Sequence, residues 1–114
     1  MVEALWEMRP VLYVLDKQGT PVPMKDGSRE EVLKWARSLE ETRIVKQSRG
    51  RGLLISTVFL GVDYAFQGPP ECWETMVLED NENFDSWHVE RCRGGREQAE
   101  AMHAAVCKYF HVPA

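Results

Sequence analysis

Apolar and polar positions recur with two different periods along this chain, and the switches between them lay out its elements. Val11-Leu12-Tyr13-Val14-Leu15 is a β-branched and aromatic run with Pro10 at its start, where a missing N–H is harmless; it reads as a first strand behind an apolar lead-in over residues 1–8. Asp16 to Pro23 is punctuated by Gly19, Pro21 and Pro23 and reads as a loop that Asp26-Gly27 closes. From Ser28 the period becomes helical. Val32, Trp35, Ala36 and Leu39 recur at spacings of three and four and draw one apolar stripe, while Ser28 and Glu31 form a capping box at the start.

Thr42 to Ser48 then reads as a strand of mixed polarity, Arg49-Gly50-Arg51-Gly52 as a turn, and Leu53 to Val62 as a strand running back antiparallel. That last run is apolar on both alternations, with Leu53, Ile55, Thr57 and Phe59 on one side and Leu54, Val58 and Leu60 on the other, which places it centrally. Cys72 to Leu78 pairs with it, Glu79 to Asn83 is polar enough to be a turn, and Trp87 to Cys92 ends a meander. After Gly94-Gly95 the helical period returns over Arg96 to Phe110, carried by Ala99, Met102, Val106 and Phe110 and stopped before Pro113. This order predicts an α+β fold: an antiparallel sheet of about four to five strands with two helices packed on one face.

A length of 114 residues suits one domain over 1–114, and 44% apolar with 28% charged residues is the composition of a chain that folds. No apolar run approaches the ~20 residues that span a bilayer, and Met1 to Glu7 lacks the basic region and apolar core of a signal peptide, so a cytoplasmic location is expected. Cys72, Cys92 and Cys107 are odd in number and not spaced as a disulfide framework, which predicts free thiols.

The net charge of −4 is mild and gives no reason to expect direct binding to nucleic acid, but its distribution is uneven. Arg43, Lys46, Arg49 and Arg51 form a run without an acid; from Asp63 to Glu90 there are eight acids and no Lys or Arg; Arg91, Arg93 and Arg96 reverse the sign again. Pairing of opposite charges across neighbouring strands explains such blocks as well as an electropositive site does.

Motifs for covalent or phosphate chemistry are missing. There is no Gly-x-Ser-x-Gly, no helical His-Glu-x-x-His and no Walker Lys-Ser/Thr, so neither an enzyme nor a cofactor is expected. His103, Cys107 and His111 stand four apart on the last helix, a spacing that suits zinc ligands and equally suits packing plus solvent exposure. His88 and Cys92 share that spacing on a strand, where it separates them by ~13 Å and excludes a shared ion.

Binding is the remaining chemistry. Tyr64, Phe66 and Trp73 flank Gly68-Pro69-Pro70 in a stiff loop; these aromatics either stand out to stack a base or anchor a partner, or fold inward to cap the sheet. Arg49, Arg51, Arg91, Arg93 and Arg96 are candidate contacts to an anion, helped by the start of the last helix at Gly94-Gly95. Asp63 sits at the charge boundary beside these aromatics.

The segment Ser56-Thr57-Val58-Phe59-Leu60-Gly61-Val62-Asp63-Tyr64, continuing through Gly68-Pro69-Pro70 to Trp73-Glu74-Thr75-Met76-Val77, resembles a pattern of small tailed-phage and prophage proteins of unassigned biochemistry. Leu12 to Asp16 and Leu33-Lys34-Trp35-Ala36 resemble it too, whereas Tyr64 stands where the pattern has His, so no His-based role is implied there. The resemblance implies a phage-encoded, non-enzymatic binding protein in counter-defence. Two partners fit that implication. One is a small anionic, nucleotide-like host signal, sequestered by Asp63, the loop aromatics and the arginines; the alternative is a host defence protein such as a CRISPR effector, engaged through the acidic face from Asp63 to Glu90. An edge strand also leaves room for a homo-oligomer that completes its site between copies.

Overall fold

The structure is a computed structural model that describes residues 11–24 and 27–114; the expected lead-in over 1–8 and the Asp26 half of the Asp26-Gly27 turn lie outside them. Four strands form one antiparallel sheet in sequence order: β3 (Ile44–Gly50), β4 (Leu53–Phe59), β5 (Trp73–Glu79) and β6 (Ser86–Cys92). Two short strands, β1 (Tyr13–Leu15) and β2 (Pro21–Pro23), pair separately as a ribbon. Helix α1 (Arg29–Thr42) stands between ribbon and sheet in sequence, and α2 (Arg96–Tyr109) follows the sheet. The α+β class and the four-stranded meander are as the sequence predicts.

Local chemistry sets the joints. Ser28 caps α1, its hydroxyl accepting from the Glu31 N–H at 3.2 Å. The β3–β4 turn has positive φ at both Arg51 (56°) and Gly52 (76°), the pair of conformations a tight two-residue hairpin demands. The turn is thus Arg51-Gly52 itself, with Arg49 and Gly50 still in β3. Pro21-Val22-Pro23, expected as loop, forms β2; prolines are tolerated there because the strand lies at the edge of a two-stranded ribbon, where a missing N–H breaks no ladder.

The core lies between α2 and one face of the sheet, and it is layered. Trp73, Phe59, Cys72, Tyr13 and Ala99 make one apolar cluster, and Ile55, Val77, Val106, Cys107 and Val112 another. Between them runs a polar band of Ser48, Thr57, Thr75 and His103. The order follows from the two periods: Ile55, Thr57 and Phe59 alternate up β4, Val77, Thr75 and Trp73 match them across β5, and Val106, His103 and Ala99 step along α2.

Helix α1 is placed through Trp35 and Leu39, against the ribbon and the Gly61 end of β4. It buries no residue fully; Trp35 donates through Nε1 to the Tyr13 carbonyl at 2.9 Å, and Trp35 and Leu39 lie against Gly61. A Cβ at Gly61 would come within 2.8 Å of the Trp35 ring, and its φ of +73° also requires glycine. Tyr13 N–H donates to the Gly61 carbonyl at 2.8 Å, and Leu12 bridges Val62, so ribbon and α1 are fastened to the end of the sheet where the longest connection begins. No helix among the described residues is long and apolar enough to cross a membrane.

Candidate functional site

The connection from β4 to β5 is organised from its base. Leu60 N–H donates to the Cys72 carbonyl (2.7 Å) and Tyr64 N–H to the Glu71 carbonyl (3.0 Å), which carries the pairing beyond the strands. Asp63 then ties the loop across itself: its Oδ1 accepts from Ala65 N–H at 2.7 Å and Glu71 N–H at 2.8 Å. From the other side Arg93 reaches over and donates through Nε to the Pro69 carbonyl (3.0 Å) and through Nη2 to the Gln67 carbonyl (2.8 Å). A planar guanidinium that donates to two carbonyls fixes both position and orientation.

Two residues expected to meet a ligand therefore have other work. Asp63 and Arg93 are braces of the loop, each bonded to main-chain atoms. Trp73 is a third correction: it is wholly buried, meets Phe59 in a tilted ring contact at 5.0 Å and donates from Nε1 to the Gly94 carbonyl at 2.8 Å, so it caps the sheet from within. Phe66 does the opposite. Its side chain is 99% exposed at the tip of the braced loop. Tyr64 is half exposed, with the Arg91 guanidinium 4.5 Å above its ring, and Arg91 also donates from Nε to Glu74 at 2.9 Å.

The five arginines do not converge. Arg91 and Arg93 belong to the loop end of the sheet, whereas Arg51 forms the turn at the other end of β4, ~20 Å away over seven strand residues. Near that turn Arg49 pairs with Asp80 at 3.3 Å. Arg96 contacts Glu100 at 3.4 Å, and its N–H donates to the Gly19 carbonyl at 2.9 Å, so the start of α2 already holds the ribbon's turn. The acidic run is likewise not one face: Glu74 lies with Arg91 on one side of the sheet, while Glu90, paired with Thr75, lies on the other.

His103, Cys107 and His111 part company as well. His103 is fully buried, with Nε2 2.8 Å from Ser48 Oγ and Nδ1 2.7 Å from Thr57 Oγ1, which in turn contacts Thr75 Oγ1 at 2.5 Å. Burial, and then Lys46, lower its pKa and so favour the neutral ring. Cys107 is buried in the apolar cluster and His111 is exposed past the end of α2. Among the described residues no group of three His, Cys, Asp or Glu is placed to hold a metal ion. A hydroxyl next to an imidazole is the contact a nucleophile needs, but Ser48 and His103 are buried and serve as packing, with every buried side-chain polar atom among the described residues partnered.

One concave region escaped sequence reasoning. Trp87, Tyr109 and Phe110 line an open groove of about 610 Å³ with Leu53, Glu79 and Arg51, and Trp87 Nε1 donates to Glu79 at 2.9 Å. Its signal was three aromatics near element ends, read only as strand and helix content. The chain matches no protein-family model, no curated protein and no solved structure.

Proposed function

We propose that this chain is a non-enzymatic binding protein whose Asp63–Glu71 loop docks a protein partner with Phe66 as the anchor. One observation carries the reading: a completely exposed Phe on a loop that six hydrogen bonds hold from its base and side. An aromatic entering a partner's pocket gains most when its backbone is already ordered, because little further conformational freedom is lost on docking. The likeness to small phage proteins supplies the setting, in which the partner is a component of a host defence system.

A photo-crosslinking phenylalanine analogue at position 66 tests this in bacterial cells carrying such systems. A discrete protein adduct that disappears when Arg93→Met loosens the loop is the expected result. Equal labelling from the same analogue at exposed Glu41 on α1, or no adduct at all, overturns it.

A second reading rests on the exposed Tyr64 ring under Arg91, a platform able to stack a nucleobase and contact phosphate. It supports the sequestering of a small anionic signal. A ligand bound only by the folded state raises the melting temperature, so a shift with a cyclic nucleotide, lost in Tyr64→Ala, is the outcome to seek. No shift across a panel of cyclic nucleotides removes this reading and leaves the first intact.

A further inference from the structure

The sheet has two outer strands, β3 and β6, and among the described residues neither is paired on its outer side. An outer strand presents unpaired N–H and C=O groups to any strand that approaches, so an edge is either guarded or used. β3 is guarded. Lys46 and Arg49, flanked by Arg43 and Arg51, give it cations without an acid, a bulge interrupts it between Ile44 and Lys46, and Val112 and Pro113 lie against Gly50 at its end. β6 carries no lysine or proline, its Val89 is exposed, and its one irregularity falls at Trp87, which leaves His88 to Cys92 in regular register with Val77 to Trp73.

A strand that pairs antiparallel with a second copy of itself does so about a two-fold axis through one residue, which fixes every other pair. In β6 the choices differ in charge. An axis through Glu90 sets two carboxylates face to face, and one through Arg91 two guanidiniums; like charges directly opposite destabilise a sheet. An axis through Val89 sets His88 against the partner's Glu90 and Glu90 against the partner's His88 on the α2 side, with Val89 against the partner's Val89 on the other. Within one chain His88 Nε2 already lies 3.7 Å from Glu90 Oε1, so the two side chains share the α2 side of the sheet. Space permits it too: above His88 and Glu90 the flank of α2 stands back, leaving an open groove of about 450 Å³ under Ala105, Tyr109 and Phe110.

We propose that β6 pairs with β6 of a second copy about a two-fold axis through Val89, joining two four-stranded sheets into one of eight strands. The partner's His88 and Glu90 then extend the floor of each groove. This inference is independent of the Phe66 loop, which lies on a different connection.

The test uses the full chain with Cys92→Ser, so that no native thiol on β6 interferes. Light scattering after size exclusion should give twice the chain mass. Val89→Cys in that background should form a covalent dimer on mild oxidation, because directly opposed Cα atoms lie about 4.5–5.5 Å apart, within disulfide reach, while Gln47→Cys on β3 should not. Glu90→Lys should weaken association roughly tenfold or more, since symmetry makes one substitution act twice, and adding His88→Glu should restore it by setting a carboxylate opposite the new ammonium. A monomer at all concentrations, crosslinking at Gln47 in place of Val89, or a dimer indifferent to Glu90→Lys overturns the proposal.

Discussion

Two parts of this molecule are organised by hydrogen bonds between side chains and their surroundings, and they stand at opposite extremes of burial. In the band under α2, Ser48, Thr57, Thr75 and His103 satisfy one another where water does not reach. In the β4–β5 loop, Asp63 and Arg93 satisfy main-chain groups at the surface and hold up a bare Phe66. The same kind of bond does different things in the two places. Inside, an unmade bond costs the desolvation of its partner; outside, water replaces it and only the loop's shape is lost. Stability and loop shape are therefore separable here, residue by residue.

The sharpest contrast is between two aromatics seven positions apart. Trp73→Ala should remove about 3–5 kcal/mol, because it empties a fully buried site and strands the Gly94 carbonyl, and denaturant titration will show it. If the loss is under about 1 kcal/mol, the apolar cluster at this end is not the core. Thr57→Val should cost about 1–3 kcal/mol by leaving His103 and Thr75 short of a partner; a neutral result would mean that the band has another source of satisfaction.

Acid should act on the same band. The folded state holds His103 below its ordinary pKa of 6.5, through burial first and Lys46 second, so the unfolded chain takes up the proton first. The contribution of the neutral ring is complete above about pH 6.5 and is lost progressively as pH falls from there toward the folded pKa. Melting temperature should drop between pH 7.5 and 5.5, and His103→Gln should flatten that part of the profile. An unchanged slope in the variant would assign the acid sensitivity elsewhere.

Smaller still is the loop. Asp63→Ala should cost about 1 kcal/mol in global stability while making the 63–71 segment markedly more susceptible to proteolysis, which separates shape from fold. Phe66→Ser should leave stability within about 0.5 kcal/mol, since nothing covers the ring, and yet abolish the crosslinked adduct. A clear destabilisation by Phe66→Ser would merge the two regions that the structure keeps apart.

What the sequence makes readable follows the same division. The alternation of Leu53 to Phe59, the Ser28 cap and the break at Gly94-Gly95 before α2 are local signals, and each appears where its residues put it. The polar band was invisible because Thr57 fits an apolar alternation as well as Val does, and its partner His103 lies 46 positions away. The bracing role of Arg93 was hidden for a related reason: its acceptors are the carbonyls of Gln67 and Pro69, groups that every residue carries and no side-chain pattern encodes. The set of arginines split because strand length, not charge, decides which end of a sheet a residue reaches.

The sulfur atoms carry a chemical consequence of the layered core. Burial, with Asp63 adding to it, pushes the Cys72 thiol up to about 11, so only about one in ten thousand is the reactive thiolate at pH 7. Cys92 is raised as well, by burial and by Glu71, and Cys107 is enclosed against Ile55 and Val77. Electrophiles and peroxides attack thiolates that they can reach, and this chain offers them almost none. Cys72 and Cys107 are thus shielded by the fold itself, and Cys92 in part.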